Sequence, residues 1–199
     1  VDDGIGRVLT ALEASGLADN TIIIFTADHG DMFGDHGMML KGAMHYEGCI
    51  RVPMLIKAPG KTAGVSNALV GSIDLAATVL SMADVTGFHG MQSHDFSGLL
   101  DDPTGSVRQS VLIEEDQVHD MVHTGQSLRM RTLVTEAARL TIYDGLDHGE
   151  LFDRAADPDE MHNLYDLPEG SQVQAAMMTQ LAHEMMAHGD HSPRPTAFA

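Results

Sequence analysis

Basic residues and cysteines are both scarce in this chain. Eleven lysines and arginines stand against 29 aspartates and glutamates, a formal charge of −18 with histidine neutral, which argues against nucleic-acid or anionic-membrane binding through a general basic surface. An anionic substrate would need concentrated local positive charge, from a metal and a few Lys or Arg side chains, against an unfavourable overall field. The single cysteine, Cys49, excludes an internal disulfide. No apolar run approaches the ~20 residues of a membrane-spanning helix, and no signal-peptide pattern opens the chain. Because the chain begins at Val1 within a helical pattern, without an initiator Met, the compartment is left open. There is no internal repeat.

What is present is enough for one domain: 199 residues with 43% hydrophobic content can bury a sizeable core. The chain is organised around Ile22 to Gly37, with Lys41 and the Tyr46 to Pro53 segment close behind. The run Thr21 to Phe25 is β-branched and aromatic without polar alternation, which predicts a strand covered on both faces, as in a parallel α/β sheet. Ligand sites in such sheets lie beyond the carboxyl ends of the strands. Asp28 and His29 leave the strand at that end, and Gly30, Gly34 and Gly37 let the backbone turn beside a small ligand. The connection from Ala27 to Gly48 is long for a compact domain, and loops of that length tend to be functional or disordered; its composition favours function.

Elsewhere the pattern is more ordinary. Ile5, Val8, Leu9 and Leu12 predict an amphipathic helix over residues 2–15, stopped by Gly16. A second short strand runs from Arg51 to Lys57, and a helix from Ser72 to Met82, with Ser72 as cap and Asp74 complementing the helix dipole. Gly87 to Ser106 has no period and reads as a mobile loop. Strand-like runs follow at Val111 to Ile113, Met130 to Thr135, Leu140 to Tyr143 and Glu150 to Phe152, the pattern of an antiparallel sheet, before a last helix from Val173 to about Met186. On that helix Met177, Met178, Met185 and Met186 read as core filler, and His183, His188 and His191 as surface residues rather than a soft-metal site.

The motif Thr26-Ala27-Asp28-His29-Gly30-Asp31-Met32-x-Gly34-Asp35-His36-Gly37, with Lys41 thirteen residues after Asp28, then Tyr46-Glu47 and Ile50-Arg51-Val52-Pro53, resembles the sulfatases and related phosphonate monoester hydrolases of the alkaline phosphatase superfamily. Val1-Asp2-Asp3 with Ile5 to Leu9, and Asp157-Pro158-x-Glu160-x-x-Asn163-Leu164, extend the resemblance to both ends of the chain. It implies an α/β fold: the C-terminal part of an alkaline-phosphatase-like mixed sheet sandwiched by helices (residues 1–106), plus a small C-terminal antiparallel sheet with a helix (residues 107–199). It also implies the second half of such an enzyme, with the nucleophile, a cysteine converted to formylglycine, lying upstream. Cys49 is not that residue: it lacks the family's Cys-x-Pro-Ser-Arg signature and reads as a small buried side chain.

An aspartate beside a histidine offers a divalent cation one hard oxygen and one nitrogen, too few ligands to complete a shell. By resemblance Asp28 and His29 occupy metal-ligand positions, for Ca²⁺ as the common choice or for Mn²⁺ or Mg²⁺; other family members carry asparagine at the histidine position. Lys41 occupies the position of the lysine that contacts the transferred group, a catalytic and substrate-binding role suited to a compact ammonium. Asp35, His36 and His45 read equally as groups supporting the ligands or as exposed loop residues, and Glu47 with Arg51 as an ion pair bracing the loop. The implied substrate is a small sulfate ester, or a phosphonate or phosphate ester. An oligomer is possible, and a non-catalytic module that binds a metal or a partner is the alternative of another class.

Overall fold

A row of leucines on one face and a row of polar side chains on the other organise a four-stranded sheet near the C-terminal end. The computed structural model describes residues 1–117, 125 and 127–190. Strands β3 (Ser110–Asp116), β4 (Arg129–Thr135), β5 (Ala138–Tyr143) and β6 (Gly149–Asp153) form an antiparallel meander in that order. Leu112, Leu133, Leu140 and Leu151 stand opposite one another across the four strands. Successive side chains alternate between faces, so this row lies on one face, where it packs with Met177 and Leu181 of the helix α4 (Ser171–Ala187).

The opposite face is also buried, but it is polar. Thr132, Thr141 and Glu150 are register neighbours there, with Arg139 two residues before Thr141. Thr132, Arg139 and Thr141 are completely inaccessible to solvent. The Arg139 guanidinium donates to Glu160 through Nε, and through Nη1 to Glu150 Oε2 at 2.9 Å and to Thr141 Oγ1 at 2.8 Å. It also lies over the rings of Phe152 and Tyr46, at 4.8 and 5.1 Å from their centroids. Tyr143 donates its hydroxyl to Glu150 at 2.9 Å; burial, reinforced by that carboxylate, pushes its phenol pKa far up. The Asp157 to Leu164 motif serves this arrangement. Asp157 accepts the backbone N–H groups of Met161 and His162, Asn163 ties Leu151 N–H and Gly149 O together, and Glu160 sits in the left-handed region at φ 53°.

The second sheet is small: β1 (Ile23–Thr26) and β2 (Met54–Lys57) pair antiparallel, with Phe25 opposite Leu55. The parallel neighbour expected for β1 is not found among the described residues. The apolar run records burial, not strand direction, and burial itself is incomplete, since Phe25 and Leu55 are 42% and 59% exposed. Helix α1 (Asp2–Ala14) likewise has no buried residue, and its apolar Val8 and Leu9 are exposed. The helix over 74–82, α3, starts at Asp74 with no side-chain cap from Ser72 or Ile73. Asp74 does more than complement a dipole. Fully buried, it accepts from Gly71 N–H, His94 N–H and Arg108. That bond to His94, and Phe96 buried at 4% exposure, pin the middle of the segment expected to be a mobile loop.

On α4 only Met177 of the four methionines is buried; Met178, Met185 and Met186 are exposed, because a single sheet face covers a single helical stripe. His191 lies outside the described residues.

Removing Arg139 strands two carboxylates in the interior. Arg139→Ala is expected to lower unfolding free energy by about 3–5 kcal/mol. Arg131→Ala, whose partners Glu114 and Asp116 are half-exposed, should cost no more than about 1 kcal/mol. Urea titrations of both variants check this; equal losses would contradict the buried hub.

Candidate functional site

The chain leaves β1 at Thr26 and immediately carries two of the candidate side chains, Asp28 and His29. Asp28 is exposed; the His29 backbone N–H donates to its Oδ1 at 3.1 Å and, helped by the nearby His29 ring and Lys41, holds its carboxyl below the usual carboxylate range. His29 places Nδ1 at 2.7 Å from Gly30 O. A carbonyl only accepts, so the proton is on Nδ1 and the Nε2 lone pair points away from the backbone. Lys41 Nζ lies 2.8 Å from that Nε2, and Asp28 Oδ2 lies 3.6 Å from it. The three side chains thus converge on the cleft they line together.

Close backbone packing holds the loop in place. Gly30 N–H donates to Cys49 O at 2.8 Å, and a Cβ on Gly30 would fall 1.9 Å from Gly48 O, so only glycine permits this approach. Phe33 and His36 adopt positive φ, 45° and 53°, uncommon for residues with side chains. His36 thereby stacks on Tyr46, ring centroids 3.9 Å apart.

Segment 43–47 then runs under the polar face of the four-stranded sheet. Ala43 packs with Leu128 and Met130. His45 is 4% exposed, with Nδ1 at 2.7 Å from Thr132 Oγ1 and Nε2 at 3.0 Å from Glu115 Oε2. Burial pulls its pKa below the ordinary imidazole value, against the opposing pull of Glu115. Glu160 Oε2 accepts the Glu47 N–H at 2.8 Å, at the start of the one-turn helix α2 (Glu47–Ile50). The expected Glu47–Arg51 pair is long, 3.7 Å, and Arg51 is largely exposed; the closer partner of Glu47 is Arg154 at 3.1 Å, which reaches in from the end of β6. Cys49 is buried, as its size suggested, and that burial raises its thiol pKa.

One exposed carboxylate and one imidazole with an outward lone pair suit two positions around a divalent cation. The described residues contain no group of three or more His, Cys, Asp or Glu able to hold an ion. The pair is therefore right in kind and short in number. Arg139, Thr132 and Glu115 were not singled out from the sequence, and Glu150 and Glu160 were noted only as a strand start and a motif member; the signal for Arg139, Thr132 and Glu150 was polar residues facing away from the leucine row of their strands.

Residues 34–187 match the C-terminal family of N-sulphoglucosamine sulphohydrolase. The chain is 32% identical over 187 residues to the uncharacterized sulfatase YidJ of Escherichia coli, covering 93% of this chain and 36% of that protein. A solved complex with the substrate D-glucosamine-2-N,6-O-disulfate superposes with a TM-score of 0.84 at 29% identity, over 99% of this chain and 40% of the other. The phosphonate monoester hydrolase of Silicibacter pomeroyi gives 0.85 at 27% identity, over 96% and 40%. The chain spans little more than a third of the length of the curated relatives it matches.

Gly30→Ala forces Gly48 or the His29 peptide to move, which should cost about 1–3 kcal/mol by thermal unfolding; an unchanged midpoint would contradict the packing. For His45, the folded pKa is depressed below an unfolded value of about 6.5. The unfolded state therefore binds more protons below that pH, and stability falls as pH drops through it. His45→Gln should flatten the stability profile between pH 7 and 5, measured by urea unfolding; an identical slope would show that His45 does not contribute.

Proposed function

This chain belongs to the sulfatase family, and from that premise we propose that it forms the C-terminal portion of a metal-dependent sulfuric ester hydrolase acting on a small sulfate ester. The observation that carries the reading is the convergence of Asp28, His29 and Lys41 within hydrogen-bond and ion-pair distances at the end of β1. Asp28 and His29 would hold a divalent cation, Ca²⁺ before Mn²⁺ or Mg²⁺, with further ligands and the formylglycine nucleophile supplied by the preceding portion of the longer protein. Such an ion, when bound, offsets negative charge on the sulfate oxygens.

The chain's own residues do the rest. Lys41 supplies a compact positive charge in an otherwise acidic protein and donates to the transferred group as charge develops on the leaving oxygen. His29 has a single outward lone pair at Nε2, so its contact with Lys41 and cation binding are mutually exclusive; loading the site frees the ammonium for the ester. Gly30 and Cys49 keep the Asp28–His29 step fixed to the segment that follows Lys41.

We assign residues 1–106 to the catalytic α/β domain and 107–199 to a smaller subdomain. Three features support docking of a preceding portion: the exposed Phe25–Leu55 pair, the uncovered Val8 and Leu9, and a cleft of about 2130 Å³. That volume exceeds the ~300–1,000 Å³ of ordinary ligand pockets. Phosphonate monoester hydrolysis is the second reading, favoured by the superposition on a hydrolase of that class.

The test is to assay the full-length protein on a 4-nitrophenyl sulfate and a phenylphosphonate monoester, with each of the three cations. Preference for the sulfate supports the proposal, preference for the phosphonate favours the second reading, and inertness to both refutes the two. In the active protein Lys41→Ala should lower kcat by about 10²–10³-fold while moving the unfolding midpoint little. Lys41→Arg should recover only part, because a planar fork replaces an ammonium. Equal turnover by wild type and Lys41→Ala would remove the role.

A further inference from the structure

Lys41 follows an exposed stretch: Met39 and Leu40, immediately before it, are 65% and 72% exposed and offer it no anchor. After it the chain turns inward at once. Met44 N–H bonds back to Gly42 O at 2.8 Å, Ala43 enters the core, and His45 is gripped at both ring nitrogens. The lysine thus lies between a backbone tie at Met38, whose carbonyl accepts from Gly34 N–H and whose N–H donates to Asp35 O, and a buried anchor on its C-terminal side.

The grip on His45 has a direction. A guanidinium only donates, so Thr141 Oγ1 accepts from Arg139 Nη1, at 2.8 Å, and its own proton is free for Thr132 Oγ1, 2.7 Å away. Thr132 then donates to His45 Nδ1 at 2.7 Å, and His45 Nε2–H donates to Glu115 Oε2 at 3.0 Å. With His45 neutral every hydrogen in this series has an acceptor. An imidazolium would donate at both nitrogens, reverse Thr132, and leave the Thr141 hydroxyl without an acceptor among these partners. Cation at one end and carboxylate at the other polarise the intervening bonds in the same sense, strengthening each.

We propose that His45, held between Thr132 and Glu115, is a positioning residue for Lys41: it fixes the ammonium where it can support the leaving oxygen. This rests on the role of Lys41 in the sulfatase reading. His45 touches no reacting atom. A change in its hold displaces Lys41 through three intervening residues, and support that exists only in the transition state is lost from kcat rather than from KM.

Thr132→Val in the full-length enzyme keeps the volume and removes the hydroxyl that donates to His45. It should lower kcat about tenfold with KM changed less than about twofold. The loss should grow as the leaving alcohol becomes less acidic. In a Lys41→Ala background the same substitution should cost less than about twofold, since two residues acting through one contact are not additive. His45→Gln, which retains an N–H for Glu115, should keep more of kcat than His45→Leu. A full tenfold loss in the Lys41→Ala background, or a loss independent of the leaving group, would overturn the proposal. Should Thr132→Val fail to fold, Glu115→Gln, at the partly exposed end of the series, carries the same comparisons. If the wild-type enzyme cleaves neither ester, the sulfatase reading falls separately. Crystal structures of wild type and variant, both loaded with the same cation, then decide the positioning: a displaced Lys41 Nζ in the variant supports it, and an unmoved lysine overturns it.

Discussion

The buried guanidinium of Arg139 is the interaction on which the remaining structure depends. A cation without solvent access needs compensating groups, and those of Arg139 come from three separate places, Glu150 on β6, Glu160 in the turn after it, and the rings of Phe152 and Tyr46, while its Nη2 has no hydrogen-bond partner. Glu160 shares its carboxylate between Arg139 and the Glu47 backbone N–H. Tyr46 is bound by its ring and Glu47 by its backbone, so the segment after Lys41 cannot move without exposing or unpairing this charge. The sheet near the end of the chain thus acts on a loop that precedes it by about ninety residues.

Much of this was legible in the sequence, for reasons that differ between elements. The four C-terminal strands were visible as short apolar and β-branched runs joined by short connections, and α4 because its buried stripe repeats at helical spacing. Asp28, His29 and Lys41 stood out by residue type and spacing. What could not be read was pairing. Nothing in Ile22 to Phe25 states that β1 runs antiparallel to β2, and nothing local links Glu47 to Arg154 rather than to Arg51, four residues along. For His45 the choice between a group supporting the ligands and an exposed loop residue stayed open because its two partners lie 70 and 87 residues away. A polar residue at an inward strand position, such as Arg139 or Thr132, is the available hint of such a partner, and it identifies one member of the contact only.

Irregular backbone occurs where the chemistry is proposed, as it does in the turns at Asp84, Glu160 and Asp166. Phe33 and His36 hold left-handed conformations, and Gly30 packs its Cα against a carbonyl. Conformations of that kind cost about 1–3 kcal/mol each and persist only when the surroundings over-determine them. Here the surroundings are identifiable: His36 on Tyr46, Gly30 on Cys49, and Tyr46 in turn on Arg139. The strain in the loop is thereby offset by the same sheet that orients it.

The acidity of the chain gives this arrangement its electrostatic meaning. With 29 acidic against 11 basic residues, the long-range field repels an anionic ester, and over distances beyond roughly 10 Å salt weakens that repulsion. Close to the proposed site the balance would be decided by few charges, because in that proposal Lys41 acts at contact distance, where screening is slight. A single ammonium can outweigh the general field only if its position is held within a few tenths of an ångström of the departing oxygen, since the gain from a preorganised donor falls steeply with misplacement. On an exposed loop that precision has to be supplied by something rigid, and the rigid element within reach is the polar face of the four-stranded sheet, through Ala43, His45 and Glu47.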